Sequence, residues 1–288
     1  MKKDIKPFLK WAGGKTKLIN EIEMIFPYRH KDKFSYIEPF VGSGAIFFHV
    51  LNKYQNIDRI IINDINTELI NLYKTIKNNV EDLILLLKEY EDIYFSFNDN
   101  IKLKEYYYEQ RNLFNNVNDV LIKSALFIFL NKTCFNGLYR VNKNNNFNVP
   151  MGKYKNPNIC DEKKLLLISK QLENVIILNV DYHETVQYAD RNSIFYLDPP
   201  YKPISETSKF NNYTRFDFND NEQVRLKYFC DEINDRKSKW ILSNSNHIIF
   251  KELYKDYIIT EVIMNRNINS KGNKRNKIKE LLIRNYKY

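Results

Sequence analysis

The sequence predicts an α/β protein: a sheet whose strands end in ligand-binding turns, interrupted by one long helical stretch. Three observations carry this. Ser193-Ile194-Phe195-Tyr196-Leu197 is a short apolar run with β-branched and aromatic residues, which reads as a buried strand. It halts at Asp198-Pro199-Pro200-Tyr201, because consecutive prolines cannot continue a sheet ladder. A strand over 36–41 runs into Gly42-Ser43-Gly44 and an apolar helix, and a second strand ends in Asp64, twenty residues after Gly44. From about 67 to 157 the apolar spacing becomes helical, and the sheet resumes at 174–178.

The strand ending in Asp198 holds an acid and an aromatic on a stiff turn. In open α/β sheets that edge is where ligands bind. The Asp198 carboxylate can accept a hydrogen bond from an amino group, and the Pro199 carbonyl can accept a second. Pro200 stiffens the turn, and Tyr201 offers a face on which a flat base could stack. A planar exocyclic amine held by two acceptors is drawn towards a pyramidal nitrogen, whose lone pair can act as a nucleophile. The plainer alternative is a proline-terminated strand with a solvated acid.

At 288 residues and 43% hydrophobic, the chain can build a sizeable core, as one large domain with an insertion or as two domains. A net charge of +10 with a pI near 9.2 favours a polyanionic partner such as nucleic acid. Asn, Ile, Lys and Tyr are abundant, as an AT-rich genome dictates, so clustering of charge is more informative than its sum. Cys134, Cys160 and Cys230 are odd in number, far apart and without metal-ligand spacing, which fits a reducing compartment. With no signal-like segment and no apolar run long enough to span a bilayer, the expectation is a soluble cytoplasmic protein without a membrane partner. None of His30, His49, His183 and His247 is assigned to catalysis or to a metal.

Residues 2–17 hold six lysines and one acid around Phe8-Leu9-Lys10-Trp11-Ala12-Gly13-Gly14-Lys15-Thr16. Gly-Lys-Thr suggests a phosphate loop, but the glycine that motif needs five residues before Gly14 is Leu9. A glycine turn that lets backbone approach a ligand is the better reading, flanked by Trp11 for stacking and Lys15 as a cation. Gly42 and Gly44 form half of a dinucleotide fingerprint; the third small position is Phe47, so the turn suits a nucleoside without phosphates. Asp64 is placed to bind two ribose hydroxyls, or else to cap the next helix.

Helical periodicity predicts helices over 69–77, 80–90, 104–114 and 120–130. No acid occurs between Val120 and Cys160, and the loop 131–142 interleaves basic, amide and aromatic side chains, the groups that read and stack on bases. Asp181, just past the strand at 174–178, could accept from an adenine amino group of a cofactor or cap a helix. A polar loop over 202–221 has the length of a lid or substrate-binding segment. A fifth strand follows at 239–244, then a closing pair at 260–264 and 278–286. Their connection, 266–279, carries six basic residues and no acid, which suits phosphate contact.

Phe8-Leu9-Lys10-Trp11-Ala12-Gly13-Gly14-Lys15, Glu38-Pro39-Phe40-Val41-Gly42-Ser43-Gly44, Phe135-Asn136-Gly137-Leu138-Tyr139-Arg140 and Asp198-Pro199-Pro200-Tyr201 occur in this order. In them the chain resembles the Dam-type, D12 class, alpha-group DNA adenine-N6 methyltransferases, over essentially its whole length. The resemblance implies a Rossmann-like class I methyltransferase sheet (1–66 and 158–288) with an inserted helical target-recognition domain (67–157). It implies S-adenosylmethionine as methyl donor, S-adenosylhomocysteine as product, no metal, and adenine flipped out of double-stranded DNA, in GATC. By position, Trp11, Lys15, Phe40, Gly42, Gly44, Asp64, Asp181 and Asp198 would line the cofactor site. Asp198, Pro199, Pro200 and Tyr201 would hold the target adenine. Lys10, Asn136, Leu138, Arg140, Pro150 and Tyr154 match positions that approach the recognition sequence, with Arg140 the candidate for a bidentate guanine contact. A restriction endonuclease encoded alongside is a further expected partner. The competing readings are N4-cytosine methylation and a catalytically silent DNA-binding regulator. C5-cytosine methylation needs a cysteine nucleophile, normally presented after a proline, and no Pro-Cys occurs.

Overall fold

The computed structural model describes residues 5–11, 13–201, 218–265 and 277–287. Among them seven strands form one sheet: β1 (Phe34–Glu38), β2 (Ile57–Asn63), β3 (Val175–Leu178), β4 (Ser193–Leu197), β5 (Lys239–Ser245), β6 (Ile258–Asn265) and β7 (Lys277–Arg284). Their spatial order is β3-β2-β1-β4-β5-β7-β6. β1 to β5 pair in parallel, and β7 lies antiparallel to both β5 and β6. The α/β sheet expected from the sequence is thus the one observed. The expected loops over 202–221 and 266–279 lie outside the described residues, apart from 218–221 and 277–279.

The inner strands carry apolar stretches, such as Ile60-Ile61-Ile62, Ile194-Phe195-Tyr196-Leu197 and Trp240-Ile241-Leu242, because helices cover both faces. Every residue of β1 and β4 is buried. Successive residues serve opposite cores: Tyr36, Ile62, Ile194 and Ile241 enter one, while Ile37, Ile61, Phe195 and Trp240 enter the other. The larger core takes in α1 (Ile19–Ile25), α2 (Ala45–Lys53), α3 (Thr67–Asn78), α4 (Val80–Ser96), α5 (Asn100–Asn116), α6 (Val120–Thr133) and α7 (Glu162–Leu172). The smaller core is closed by α8 (Asp220–Asp235) and α9 (Ile248–Leu253).

Five of the helices start where short polar side chains can replace missing intrahelical partners. Asn66, Asp99, Asp119, Asp161 and Asn219 each accept a backbone N–H at the start of α3, α5, α6, α7 and α8. Residues 124–131 of α6 are all buried, so over these two turns the helix has no solvent face; α3, α4 and α5 pack around it. α3 also rests on β3 and α7, which fastens the helical stretch to the sheet. No helix among the described residues is long and apolar enough to cross a membrane.

The sheet grows outward from β1 through β2 to β3, then restarts on the other side of β1 with β4. The carboxyl ends of β1 to β5 therefore share one edge, and the direction of growth reverses between β1 and β4. A crevice opens at such a switch point. The turns after β1, β2, β3 and β4 all reach this edge.

Candidate active site

Asp198 follows β4 directly. Pairing of Leu197 with Leu242 brings the next residue of β5, Ser243, beside it. Ser243 Oγ donates to Asp198 Oδ1 at 2.8 Å, and Lys15 Nζ lies 3.2 Å from the same oxygen. Both interactions use Oδ1; among the described residues no hydrogen bond reaches Oδ2. Tyr196 Oη is 3.2 Å from Ser243 Oγ; with the serine proton on Asp198, the tyrosine is the donor in that pair. Burial pushes the Asp198 carboxyl above its usual range, opposed by the Lys15 ammonium and the Ser243 hydrogen bond.

Pro199 is buried, Pro200 is exposed and Tyr201 is half-buried. Tyr201 Oη donates to Glu280 Oε2 on β7 at 2.8 Å. Lys15, 5% exposed on a short 3-10 turn after Gly13-Gly14, places Nζ 4.0 Å from the Tyr201 ring centroid and 3.6 Å from Glu280 Oε2. One ammonium thus serves two acids and an aromatic face.

On the other side of the switch point, Gly42 and Gly44 have φ of +50° and +77°, where a side chain would be strained. A Cβ on Gly44 would come 2.8 Å from the Tyr73 hydroxyl. The Gly42 N–H donates to Asp64 Oδ2 at 3.0 Å, and the Asn66 N–H to Asp64 Oδ1 at 2.9 Å. Asn66, not Asp64, caps α3, through the Leu69 N–H; the alternative of Asp64 as that cap is thereby set aside. Burial lifts the Asp64 carboxyl to about 6 against these backbone hydrogen bonds. Glu38, at the end of β1, accepts from Tyr36 Oη at 2.5 Å, and burial drives its carboxyl well above the usual range.

Asn63 ties these turns together. Its side-chain amide donates to the Pro39 and Val180 carbonyls, each at 3.1 Å, and accepts from the Val180 N–H at 3.0 Å. Asp181 is brought alongside in this way. It caps a 3-10 turn through the His183 N–H and pairs with both terminal nitrogens of Arg225 on α8, at 2.9 and 2.5 Å. Burial acts to raise the Asp181 carboxyl, and the Arg225 hydrogen bonds outweigh it and hold the carboxyl low. Beside it, Phe40 packs on Tyr182 and Phe218 at 5.1 and 6.1 Å between centroids.

The third group lies on the loop after α6. Trp11 covers Gly42, where a Cβ would meet its Nε1 at 3.1 Å, and stacks on Tyr139, which stacks on Phe127. The neighbouring Lys10 is bound at its N–H and its carbonyl by buried Asn131, which also donates to the Gly137 carbonyl. Lys10 Nζ lies 4.1 Å above the Tyr154 ring. Asn136 is exposed with φ of +56°, Leu138 is half-buried and Pro150 is exposed, its carbonyl accepting from the Phe135 N–H. Arg140 Nε donates to Asn148 Oδ1 at 2.7 Å, which fixes the guanidinium on the short turn closed by Val141 and Phe147. Lys10, Asn131, Gly137 and Tyr154 therefore form one connected group, joined to the glycine turn by Trp11.

Sequence reasoning overlooked Ser243, Glu280, Asn63 and Arg225, and gave Glu38 no role of its own. Ser243-Asn244-Ser245 was a visible signal, since three polar residues follow the apolar run Trp240-Ile241-Leu242 in one strand. Glu280 is an acid that directly precedes the buried apolar run Leu281-Leu282-Ile283 of β7. The thiols offer no nucleophile: burial lifts Cys134 to about 12 and Cys160 to about 11, and Cys230 is fully buried.

A seven-stranded sheet in this order, with an Asp-Pro-Pro-Tyr turn at its switch point, defines a Rossmann-like methyltransferase. The chain belongs to the D12 class N6 adenine-specific DNA methyltransferases, whose family model matches residues 11–268. It is 49% identical to the type II methyltransferase M.MjaIII of Methanocaldococcus jannaschii, over 98% of this chain and 100% of that one. It is 37% identical to the type II methyltransferase M1.LlaDCHI of Lactococcus lactis, over 98% and 96%. Against the DNA adenine methylase of Haemophilus influenzae the identity is 36%, over 96% and 92%. The protein is accordingly an adenine-specific DNA methyltransferase.

Proposed function

We propose that the protein methylates N6 of an adenine flipped out of duplex DNA, in the sequence GATC, with S-adenosylmethionine as donor. The observation that carries this reading is the Asp198 carboxylate at the switch point, held through Oδ1 by Ser243 and Lys15, next to the Pro199 carbonyl and the Tyr201 ring. The target sequence rests on the likeness of the four motifs to GATC-specific enzymes.

The residues fit the proposed donor. Gly42 and Gly44 keep the turn bare of side chains where the backbone meets Asp64. Asp64 suits ribose hydroxyls, and Asp181 with the Phe40 and Tyr182 rings suits a purine. Trp11 covers the Gly42 turn, and Lys15 stands across the switch point against Asp198. When bound, the donor supplies a methyl group on a positively charged sulfur. Asp198 and the Pro199 carbonyl accept the two hydrogens of the adenine amino group and aim its lone pair. Tyr201 stacks on the base, which must leave the duplex because a stacked N6 is out of reach. Transfer is then direct displacement, by positioning and electrostatics, with no covalent enzyme intermediate. The surplus proton on N6 leaves to Asp198 or to solvent.

Residues 67–157 serve as the target-recognition domain in this reading, and 1–66 with 158–288 as the catalytic domain. Lys10, Asn136, Leu138, Arg140, Pro150 and Tyr154 approach the DNA, and Arg140 reads a guanine. A cognate restriction endonuclease is the partner expected if the chain works with one, as a type II system does; GATC cleavage in cell extract tests it. The function is tested by transfer of labelled methyl from S-adenosylmethionine to duplexes with GATC and with the site scrambled. Label in N6-methyladenine only with GATC is expected. Equal label in both discards the target sequence, and label in cytosine discards the chemistry.

A further inference from the structure

Glu280 lies opposite Ser245, because the antiparallel course of β7 returns its first half to the carboxyl edge of β5. Its side chain is 13% exposed and accepts from Tyr201 Oη at 2.8 Å. Burial, with the Asp198 and Glu280 carboxylates nearby, drives the Tyr201 hydroxyl well above its usual range, so the proton stays on the tyrosine and the direction of the bond is fixed. Lys15 Nζ spans the gap, 3.2 Å from Asp198 Oδ1, 3.6 Å from Glu280 Oε2 and 4.0 Å from the ring centroid of Tyr201. Two prolines stiffen the backbone before Tyr201, but they do not restrain its ring. The bond at the far end of the ring does.

We propose that Glu280 is a positioning residue for the target base: by accepting from Tyr201 and sharing Lys15 with Asp198, it holds the stacking ring and the amine-accepting carboxylate as one unit. The inference rests on Asp198–Tyr201 being the adenine pocket. A ring ordered before the base arrives need not be ordered in the transition state, so the effect falls on the transfer rate and not on cofactor or duplex affinity.

The test is single-turnover methyl transfer at saturating S-adenosylmethionine, paired with the fluorescence of duplexes carrying 2-aminopurine at the target position. Glu280→Ala is expected to slow transfer roughly tenfold, the loss of one hydrogen bond to a charged acceptor, and to weaken the 2-aminopurine signal, with cofactor affinity and Tm near wild type. Glu280→Gln keeps an acceptor oxygen and restores most of both readouts. Tyr201→Phe, which keeps the ring and loses the donor, falls to the Glu280→Ala level, and the double variant falls no further. Transfer by Glu280→Ala within about twofold of wild type, below the loss of a single net hydrogen bond, overturns the inference. So do effects that multiply in the double variant, or a Glu280→Gln variant no better than Glu280→Ala. Asp198→Ala is run alongside: if it also transfers methyl normally, the adenine-pocket reading itself falls, whatever Glu280 does.

Discussion

At the scale of single residues, the site depends on side chains that aim other side chains. Ser243 is the clearest case, since its hydroxyl holds one oxygen of Asp198 and receives Tyr196 behind it. Ser243→Ala should slow methyl transfer about tenfold to a hundredfold, the range for a hydrogen bond to a charged group. An unchanged single-turnover rate would remove Ser243 from the machinery. Asp64 sets a pH dependence. Its carboxyl titrates at about 6 in the folded chain, above the ordinary value near 4. The folded state thus holds this proton more tightly than the unfolded state. The charge on Asp64 costs stability above pH about 6, and the cost is relieved as pH falls from about 6 towards 4. Cofactor binding runs the other way, because ribose hydroxyls need the ionised acceptor. Affinity for S-adenosylmethionine should weaken from pH 7 to pH 5, and Asp64→Asn should flatten that profile. A wild-type affinity constant across this range would release Asp64 from the ribose role.

At the scale of elements, the turns are held by buried amides. Asn131 spans Lys10 and Gly137, and Gly137 has φ of +62° with no room for a Cβ, which would lie 2.6 Å from Lys10 Cβ. Gly137→Ala must displace the Lys10 backbone and its side chain together. It should weaken duplex binding at least tenfold by equilibrium titration while cofactor affinity holds; equal loss of both would mean general unfolding. Asn63→Ala leaves the Pro39 and Val180 groups without their buried partner and should lower stability by about 2 kcal/mol in denaturant titration. These amides also mark the limit of legibility. The runs that became β1, β2, β4 and β5 were plain in sequence, because each holds a short apolar stretch, Tyr36-Ile37, Ile60-Ile61-Ile62, Ile194-Phe195-Tyr196-Leu197 and Trp240-Ile241-Leu242, as strands covered on both faces do. α8 was not singled out, since much of its surface is charged and only Leu226, Phe229, Cys230 and Ile233 face the core. Asp64, Asp181, Asp198, Gly42 and Gly44 were legible as candidates because each lies in a turn that follows a strand. Ser243 and Glu280 were not, because their meeting with Asp198 and Tyr201 depends on the order of strands across the sheet, which adjacent residues do not encode.

At the scale of the whole molecule, charge and core divide the work. The stretch between Val120 and Cys160 has no acid, and Lys143, Lys153 and Lys155 on it are exposed. Duplex affinity should fall linearly on a log–log plot against salt. Alanine at these lysines should reduce the slope by roughly 0.9 for each phosphate left without its cation, without changing preference for the target sequence. A slope unaltered in the triple variant would place the duplex elsewhere. The helical stretch shares one continuous core with the sheet, from α6 to Tyr36 and Ile194, so the loop after α6 and the glycine turn sit on a common support.

The place of β7 has a consequence for biosynthesis. It follows the other strands in sequence, yet it lies between β5 and β6. While a ribosome is still short of residues 277–284, β5 has an open backbone edge and β6 has no partner. Glu280 has not yet been made, so the pocket around Tyr201 cannot close. The five parallel strands pair with one another without β7, but the edge that carries Glu280 is finished only by it. A stalled or clipped chain lacking this strand would expose a pairing-competent edge, a substrate for chaperones and proteases and not a weakened enzyme.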